Sequence, residues 1–168
     1  AVYVEAVAVG VDGDVVDGAA LAAGDDDGEV AAAEDGDIAD EDVLAELGEY
    51  VSSGIRSGEL SSWIDHTGNL RSSVGYAVVK RGEVIKMSDF SVILNGAEGA
   101  EKGKRKIAEI ASEYANYDYL LIIVAGEEYA VYVEAIEGKA VLSEGLIHIE
   151  RNLPKLLKDR FKQALQSL

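Results

Sequence analysis

Apolar residues recur at intervals of three or four along three stretches of the chain, which is the spacing of one face of an amphipathic helix. This pattern predicts helices over residues 40–57, 100–115 and 144–167. Asp40 is placed to cap the first helix, and acids follow it in the first turn. Pro154 falls inside the third stretch, where it either kinks the helix or marks its true start.

Alternating and continuous apolar runs predict the strands. Over residues 74–79 the larger side chains alternate with smaller ones, which is the pattern of a strand with two different faces. The KRGE that follows predicts a hairpin turn into EVIKMS. FSVIL, residues 90–94, is expected to continue the sheet. The unbroken run YLLIIVA, residues 119–125, has the length and composition of a central strand. The next apolar positions, over residues 129–133, fit a helical face as well as a strand face, and both readings stay open.

The order of these elements predicts an α+β domain over residues 38–168. We expect a small, mostly antiparallel sheet packed against an N-terminal helix, a middle helix and a long C-terminal helix, because each apolar face has to be buried. A chain of 168 residues is about one domain long.

Charge separates the first part of the chain from the rest. Residues 1–55 hold 16 Asp and Glu and no Lys or Arg, whereas residues 56–168 hold the other 16 acids and all 15 bases. The formal charge is therefore −16 in the first part and −1 in the second. Duplex DNA rewards Lys and Arg through counterion release, so neither part is suited to bind it tightly.

Residues 1–37 form an acidic, low-complexity segment that we treat separately. High charge with few bulky apolar groups favours disorder, although the Val and Ala content leaves room for short strands. AVYVEA occurs at residues 1–6 and again at residues 130–135. The recurrence fits a small duplication or a wrongly assigned stretch of sequence, so the order and the identity of this segment both stay open.

Two absences narrow the class of protein. The chain has no cysteine, which excludes a disulfide framework and a thiol nucleophile. No apolar run approaches the roughly 20 residues that span a bilayer, so we expect a soluble protein without a membrane partner.

The segment WIDHTGNLRSSVGYAVV, residues 63–79, carries the residue types of an acyl-transfer triad: Asp65, His66 and Ser72 or Ser73. A triad is defined by geometry, these residues are sequence neighbours, and no G-x-S-x-G elbow is present. A structural reading therefore competes with the catalytic one.

In the structural reading the same residues build a turn in front of a strand. Asp65 and Thr67 would cap the turn, Gly68 and Asn69 would form it, and Leu70 would anchor it in the core. We favour this reading over catalysis.

Metal and phosphate sites receive little support from the spacing of their candidate ligands. Asp12 with Asp14, and Asp35 with Asp37, lack the fifth-position acid and sixth-position Gly of a calcium loop. His148 has no second His or Cys at a zinc-ligand spacing. The glycine-rich NGAEGAEKGKRK does not have the spacing of a phosphate-binding loop and reads as a basic helix start. We predict no cofactor.

Tyrosine supplies eight of the eleven aromatic residues, and five of them cluster between residues 114 and 132. A Tyr side chain joins a large apolar face to a polar tip, so it suits interfaces as well as cores. The sequence leaves these two roles open.

DHTGNLRSSVGYAVV together with LIIVAGEEYAVYVEA resembles the HK97 gp10-like tail-completion or neck protein family of tailed bacteriophages. That family pairs a T-G-x-L-R/K-x-S segment with a later Y-A-x-Y-V-E segment and a C-terminal helix. The matching residues in this chain are Thr67, Gly68, Leu70, Arg71, Ser73, Tyr129, Tyr132 and Glu134.

The resemblance covers about residues 40–168, and IKMSDFSVILNGAEG is similar to an insertion in a subgroup from phages of gut bacteria. Two features depart from the family pattern. The glycine that often follows the Y-V-E pair is displaced to Gly138, and residues 1–37 match nothing in the family.

The resemblance implies a structural protein of the virion without catalytic activity. Its partners would be copies of itself in a ring, the neighbouring portal-adaptor and tail proteins, and DNA that passes through the lumen without specific binding. Assembly would take place in the cytoplasm of the host bacterium. A near-neutral or negative wall would let DNA slide, because contact releases no counterions.

Within the shared motifs we predict that Arg71 and Glu134 pair, inside a subunit or across the ring, since they carry opposite charge beside apolar neighbours. Two other classes of function stay open. One is a non-viral protein-binding module whose acidic arm recognises basic partners. The other is a hydrolase built around His66.

Overall fold

The computed structural model describes residues 5–12, 15–21, 32–34, 41–61, 63–137, 139 and 141–166. The strands are β1 (Glu5–Asp12), β2 (Val15–Leu21), β3 (Ala32–Glu34), β4 (Val74–Lys80), β5 (Glu83–Met87) and β6 (Tyr119–Ala125). The helices are α1 (Glu41–Ser57), α2 (Asn69–Ser73), α3 (Ala97–Glu113), α4 (Ala130–Glu137) and α5 (Ser143–Gln166). The predicted α+β class is confirmed.

The strands of the described residues form one antiparallel sheet in the order β3-β2-β1-β6-β4-β5. Strand β6 lies between β1 and β4, with Ile122 opposite Ala8 on one side and Ala77 on the other. Of the acidic segment 1–37, the ranges 5–12, 15–21 and 32–34 are therefore strands. The remaining residues of that segment, and Asp40 as a cap, lie outside the described residues.

The two faces of β4 and β6 bury different partners because successive side chains of a strand point to opposite sides. One face carries residues such as Val78 and Ile123 and packs against α1, and α5, which contacts α1, adds Ile149 and Leu153 to the same core. The other face carries residues such as Ala77 and Ile122 and packs against α3. Each fully buried Ile or Leu stabilises the fold by about 1.5–3 kcal/mol. The sheet is thus covered by helices on both sides.

The hairpin predicted at KRGE is present. Arg81 and Gly82 both have positive φ, 49° and 83°, which matches the backbone of a two-residue hairpin turn. Next to it, Lys80 donates to Glu41 at 2.8 Å and joins the hairpin to the start of α1. This hydrogen bond is the main cause that raises the pKa of Lys80 to about 12.

The prediction that FSVIL continues the sheet is wrong, because residues 90–94 lie in the segment between β5 and α3 and are not part of a strand. Phe90 and Leu94 have φ of 50° and 53°, in the left-handed region that extended strands do not use. Phe90 turns its ring into the core on the α3 face, where it is buried. The apolar residues of this stretch therefore belong to a loop and not to the sheet.

The two questions left open near the C-terminus are answered by α4 and α5. Residues 130–137 are helical, so the helical reading of the second tyrosine segment is correct. Helix α5 begins at Ser143, and Pro154 therefore does not mark its start. The repeated hexapeptide adopts different structures, since Glu5 and Ala6 open β1 whereas its second copy lies in α4.

Candidate functional site

The side chain of Asp65 caps the turn that starts α2. Its carboxylate accepts hydrogen bonds from the backbone N–H groups of Thr67 at 3.2 Å, Gly68 at 2.9 Å and Arg71 at 2.8 Å. The Thr67 hydroxyl accepts from the N–H of Asn69 at 3.2 Å. These are N–H groups that a helix start leaves without partners inside the helix. The structural reading of this segment, with Leu70 buried beneath it, is correct.

The described residues do not form the triad that their types allowed. His66 is exposed and makes no hydrogen bond to Ser72 or Ser73 in the part of the chain that the structure describes. The Ser72 hydroxyl accepts from the N–H of Ile93 at 2.8 Å. The Ser73 hydroxyl accepts from the N–H of Glu127 at 3.3 Å and donates to the Leu70 carbonyl at 2.8 Å. Both serines therefore join backbone segments.

Arg71 is held between the buried ring of Trp63 and the end of α1. The centre of its guanidinium lies 5.0 Å from the centroid of the Trp63 ring, a cation–π geometry. The same guanidinium donates to the carbonyl oxygen of Arg56, in the last turn of α1, where a positive charge is favourable. Glu134 lies on α4, and its side chain is outside the described residues, so the Arg71–Glu134 pairing stays a prediction.

The two motif segments are neighbours in the fold. The N–H of Gly126, which leads into the second segment, donates to the Ser73 carbonyl at 3.1 Å. Burial raises the pKa of Tyr129, and the charges of Asp65 and Glu127 raise it further. Hydrogen bonding to the Thr67 side chain and to the Leu70 backbone lowers the pKa of Tyr129 in part. The Tyr129 hydroxyl therefore lies beside the first segment. We call Thr67, Gly68, Leu70, Ser73 and Tyr129 the motif junction.

Exposure differs between the two tyrosines of the second motif. Tyr129 is partly exposed at the edge of the motif junction, whereas Tyr132 is 57% exposed on α4. Tyr132 therefore presents most of its ring to the outside. The sequence left a core role and an interface role open for the tyrosines, and the exposure of Tyr132 fits the interface role.

A second exposed surface lies beside the motif junction, on the loops before α2 and α3. Ile64 is 77% exposed and Leu94 is 70% exposed, and Val92 is also exposed. The two loops are joined by the N–H of Asn95, which donates to the Thr67 carbonyl at 3.2 Å. We call Ile64, Val92 and Leu94 the loop surface. Large apolar side chains exposed on two adjoining loops make this surface a candidate contact site.

Comparison with family models, with curated proteins and with solved structures finds no match to this chain.

The glycines of NGAEGAEKGKRK have a packing role that the sequence reading missed. A Cβ at Gly96 would lie 2.3 Å from the Gly68 carbonyl oxygen, and one at Gly99 would lie 2.0 Å from the Asn69 carbonyl oxygen. A Cβ at Gly103 would lie 2.5 Å from the Ser73 carbonyl oxygen. These glycines recur every three or four residues and let α3 approach the backbone of α2. That spacing was the signal in the sequence.

A buried ion pair beside the motif junction was also missed. Glu127 is 2% exposed, and its Oε2 accepts from Lys102 Nζ at 3.0 Å. Its Oε1 has no hydrogen-bond partner among the described residues. Glu98 lies 3.2 Å from the same Nζ, one helical turn before Lys102. The hydrogen bond to Glu127 is the main cause that raises the pKa of Lys102.

No group of three or more His, Asp or Glu in the described ranges is arranged to hold a metal ion. Asp14, Asp35 and Asp37 lie outside those ranges. His148 stacks on Tyr50 with ring centroids 4.7 Å apart. No helix in the described part of the chain is long and apolar enough to cross a bilayer.

We predict that Asp65→Ala lowers the free energy of unfolding by about 2 kcal/mol, because three N–H groups at the start of α2 lose their acceptor. Urea denaturation followed by circular dichroism measures this change. Asp89→Ala is the matched control, since among the described residues Asp89 accepts from one N–H only, that of Ser91, and its loss should cost less than about 0.5 kcal/mol. Equal losses in the two variants would contradict the capping role.

Proposed function

We propose that this chain is a structural subunit of a tailed-bacteriophage virion, of the neck or tail-completion type. It would form a ring with copies of itself and join the portal-adaptor complex to the tail. The observation that carries the proposal is the motif junction. The segments that carry the resemblance, more than fifty residues apart in the sequence, are hydrogen-bonded neighbours through Ser73 and Gly126.

Exposed apolar side chains on unlike elements support a role in assembly. The loop surface lies on two loops, whereas Tyr50 and Ile147 are exposed on α1 and α5. A closed ring uses heterologous contacts, in which one patch of a subunit meets a different patch of the next. The chain offers such unlike patches.

The proposed role is mechanical, without bond-making chemistry or a cofactor. The positions of the His66, Ser72 and Ser73 side chains support this part of the proposal, because both hydroxyls bond to the backbone. DNA would pass through the ring without specific binding, and the protein would be found in the virion after assembly in the bacterial cytoplasm. A hydrolase activity that is lost in His66→Ala would contradict the proposal.

The proposal is tested by size-exclusion chromatography with light scattering, followed by negative-stain electron microscopy. We expect a ring from the chain alone or after mixing with the portal-adaptor and tail proteins of the same virus. Replacing Ile64 and Leu94 by Asp should abolish the ring, because it would place charges in an apolar contact. Ala108→Asp, an exposed substitution on α3, is the control and should leave the ring intact.

A chain that stays monomeric in all of these mixtures would contradict the ring. If that monomer bound basic proteins, the acidic protein-binding module would be the better description. If the ring still formed with both Asp substitutions, the loop surface would not be part of the contact between subunits.

A further inference from the structure

Asn95 and Gly96 form the only Asn-Gly pair in the sequence. Such a pair rearranges without an enzyme, because a glycine leaves the backbone nitrogen after the asparagine open to its side-chain carbonyl. The other three asparagines, Asn69, Asn116 and Asn152, are followed by Leu, Tyr and Leu, whose side chains hinder this reaction. Asn95 therefore has the chemistry for spontaneous deamidation.

The reaction replaces the side-chain amide of Asn95 by a carboxylate in two steps. The backbone nitrogen of Gly96 loses its proton and attacks Cγ of Asn95, so that an N–Cγ bond forms and the side-chain nitrogen leaves as ammonia with that proton. Water then adds to one of the two carbonyl carbons of the cyclic imide and breaks its bond to nitrogen, which recovers a proton. Opening at the side-chain carbon gives Asp, and opening at the backbone carbon gives isoaspartate.

Hydrogen bonds in the folded chain hold the turn around Asn95 closed. The N–H of Gly96 donates to the Ile93 carbonyl at 3.0 Å, and the Gly96 carbonyl accepts from the N–H of Ala100 in α3 at 3.1 Å. The N–H of Asn95 donates to the Thr67 carbonyl at 3.2 Å. The attack needs the Gly96 nitrogen without its proton, so the bond to Ile93 has to break first. This is the kind of local opening that also lets an amide hydrogen exchange with solvent.

Close packing against α2 supports the same turn. A Cβ at Gly96 would lie 2.2 Å from the Ser72 Oγ and 2.3 Å from the Gly68 carbonyl oxygen, so the Gly96 backbone lies directly against both. The Ser72 hydroxyl accepts from the N–H of Ile93 at 2.8 Å and donates to the Ile93 carbonyl at 3.4 Å. Ser72, which is fully buried, thus fixes the residue whose carbonyl holds the Gly96 N–H.

The Asn95 side chain itself faces outward beside the loop surface. It is exposed and makes no hydrogen bond to the part of the chain that the structure describes. Leu94, just before it, has φ of 53°, a left-handed conformation that a leucine seldom adopts. Water therefore reaches the amide, and the contacts with Ser72 and α2 behind the turn are what keep it closed.

We propose that Asn95 is a deamidation site that the contact of Ser72 with residues 93–96 keeps closed. When the turn opens and reacts, a negative charge is added next to Leu94 of the loop surface. The isoaspartate product also carries the main chain through the side-chain carbon, which adds a backbone carbon between Leu94 and Gly96. The tight contact of Gly96 with α2 has no room for it, so the turn does not close again. The inference goes beyond the proposed function and does not depend on it, because the reaction takes place within a single subunit.

The test follows deamidation of the full chain by peptide mass spectrometry, which detects the change from amide to carboxyl at Asn95. The chain is incubated in mildly alkaline buffer, either folded or unfolded in urea. We expect the folded wild type to react at least about 100-fold more slowly than the unfolded chain, because only its open fraction reacts. Asn116, which is also exposed, should stay unmodified over the same time.

Ser72→Ala and Ser73→Ala separate opening of this turn from unfolding of the whole chain. Both serines are buried on α2, but the hydroxyl of Ser72 bonds to Ile93, whereas that of Ser73 bonds to Leu70 and Glu127. In the folded chain Ser72→Ala should react about 10-fold faster than the wild type, as expected for the loss of a buried hydrogen bond. Ser73→Ala should stay within about 2-fold of the wild-type rate.

Asn95→Asp is the control for the isoaspartate form, since it adds the same charge to an unchanged backbone. The isoaspartate form, purified by chromatography, should unfold at a lower temperature than the wild type. Asn95→Asp should unfold at or above the wild-type temperature, because an acid near the start of α3 is favourable.

Four outcomes would overturn the inference. An unfolded chain that does not deamidate at Asn95 would remove the site itself. Equal rates in the folded and unfolded chain, or equal acceleration by Ser72→Ala and Ser73→Ala, would show that the contact with Ser72 does not keep the turn closed. An isoaspartate form as stable as Asn95→Asp would show that the turn closes again after the reaction.

Discussion

Replacing Gly99 by Ala is expected to lower the free energy of unfolding by about 3 kcal/mol. The new Cβ would lie 2.0 Å from the carbonyl oxygen of Asn69 and 2.7 Å from its carbon. Both are backbone atoms of α2, so relief requires the two helices to move apart rather than one side chain to rotate. Helix propensity favours Ala over Gly by about 1 kcal/mol, which is too little to offset the overlap. Urea denaturation measures the change.

Gly54→Ala is the matched control, because it makes the same chemical change inside α1. There the Cβ would lie 2.7 Å from the Cδ1 and 2.8 Å from the Cγ of Leu60, which are side-chain atoms of a partly exposed residue and move away when that side chain rotates. We expect this variant to stay within about 1 kcal/mol of the wild type. If both variants lost the same stability, close contact between the α2 and α3 backbones would not be the reason for Gly99.

Replacing Lys102 by Met is expected to cost about 3 kcal/mol, because it leaves a buried carboxylate without its cation. Glu127 is 2% exposed, and one of its oxygens already lacks a hydrogen-bond partner among the described residues. A carboxylate at such a depth has lost its own hydration and needs the cation to offset that loss. Adding Glu127→Gln to Lys102→Met should recover part of the loss, since the buried group is then neutral. Chemical denaturation of the single and double variants measures both changes.

Lys104→Met is the control for the ion pair on the same helix. Lys104 pairs with Glu101 at 3.1 Å, but both side chains are well exposed, so its loss should cost less than about 0.5 kcal/mol. A Lys102→Met variant as stable as Lys104→Met would show that burial of Glu127 carries no penalty.

The sequence correctly predicted the elements that are determined by residues close together in the chain. Helix α1 and strand β6 have strong periodicity or an unbroken apolar run, and the structure has them within one or two residues of the predicted bounds. The cap formed by Asp65 was predicted because an Asx side chain bonds to N–H groups a few residues ahead. Such features need no knowledge of distant parts of the chain.

The misses all depend on partners that are distant in the sequence. Phe90 looked like part of a strand, and only its place in the core against α3 gives it a left-handed backbone. The stretch around Gly99 reads in the sequence as a basic helix start, and only the fold supplies the α2 backbone that Gly99 contacts. The pairing of Lys102 with Glu127 joins residues on two elements. Each requires the tertiary fold, which a periodic pattern does not encode.

The central place of β6 also sets the order in which the sheet can be assembled during synthesis. Its two neighbours, β1 and β4, both precede it in the chain, and Glu5 pairs opposite Ala125. The ribosome therefore releases β1 more than a hundred residues before the strand that joins it to β4. Contacts between such distant residues slow folding, because a long loop has to close first. The nascent chain can form its hairpins early, but a continuous sheet has to wait for residues 119–125.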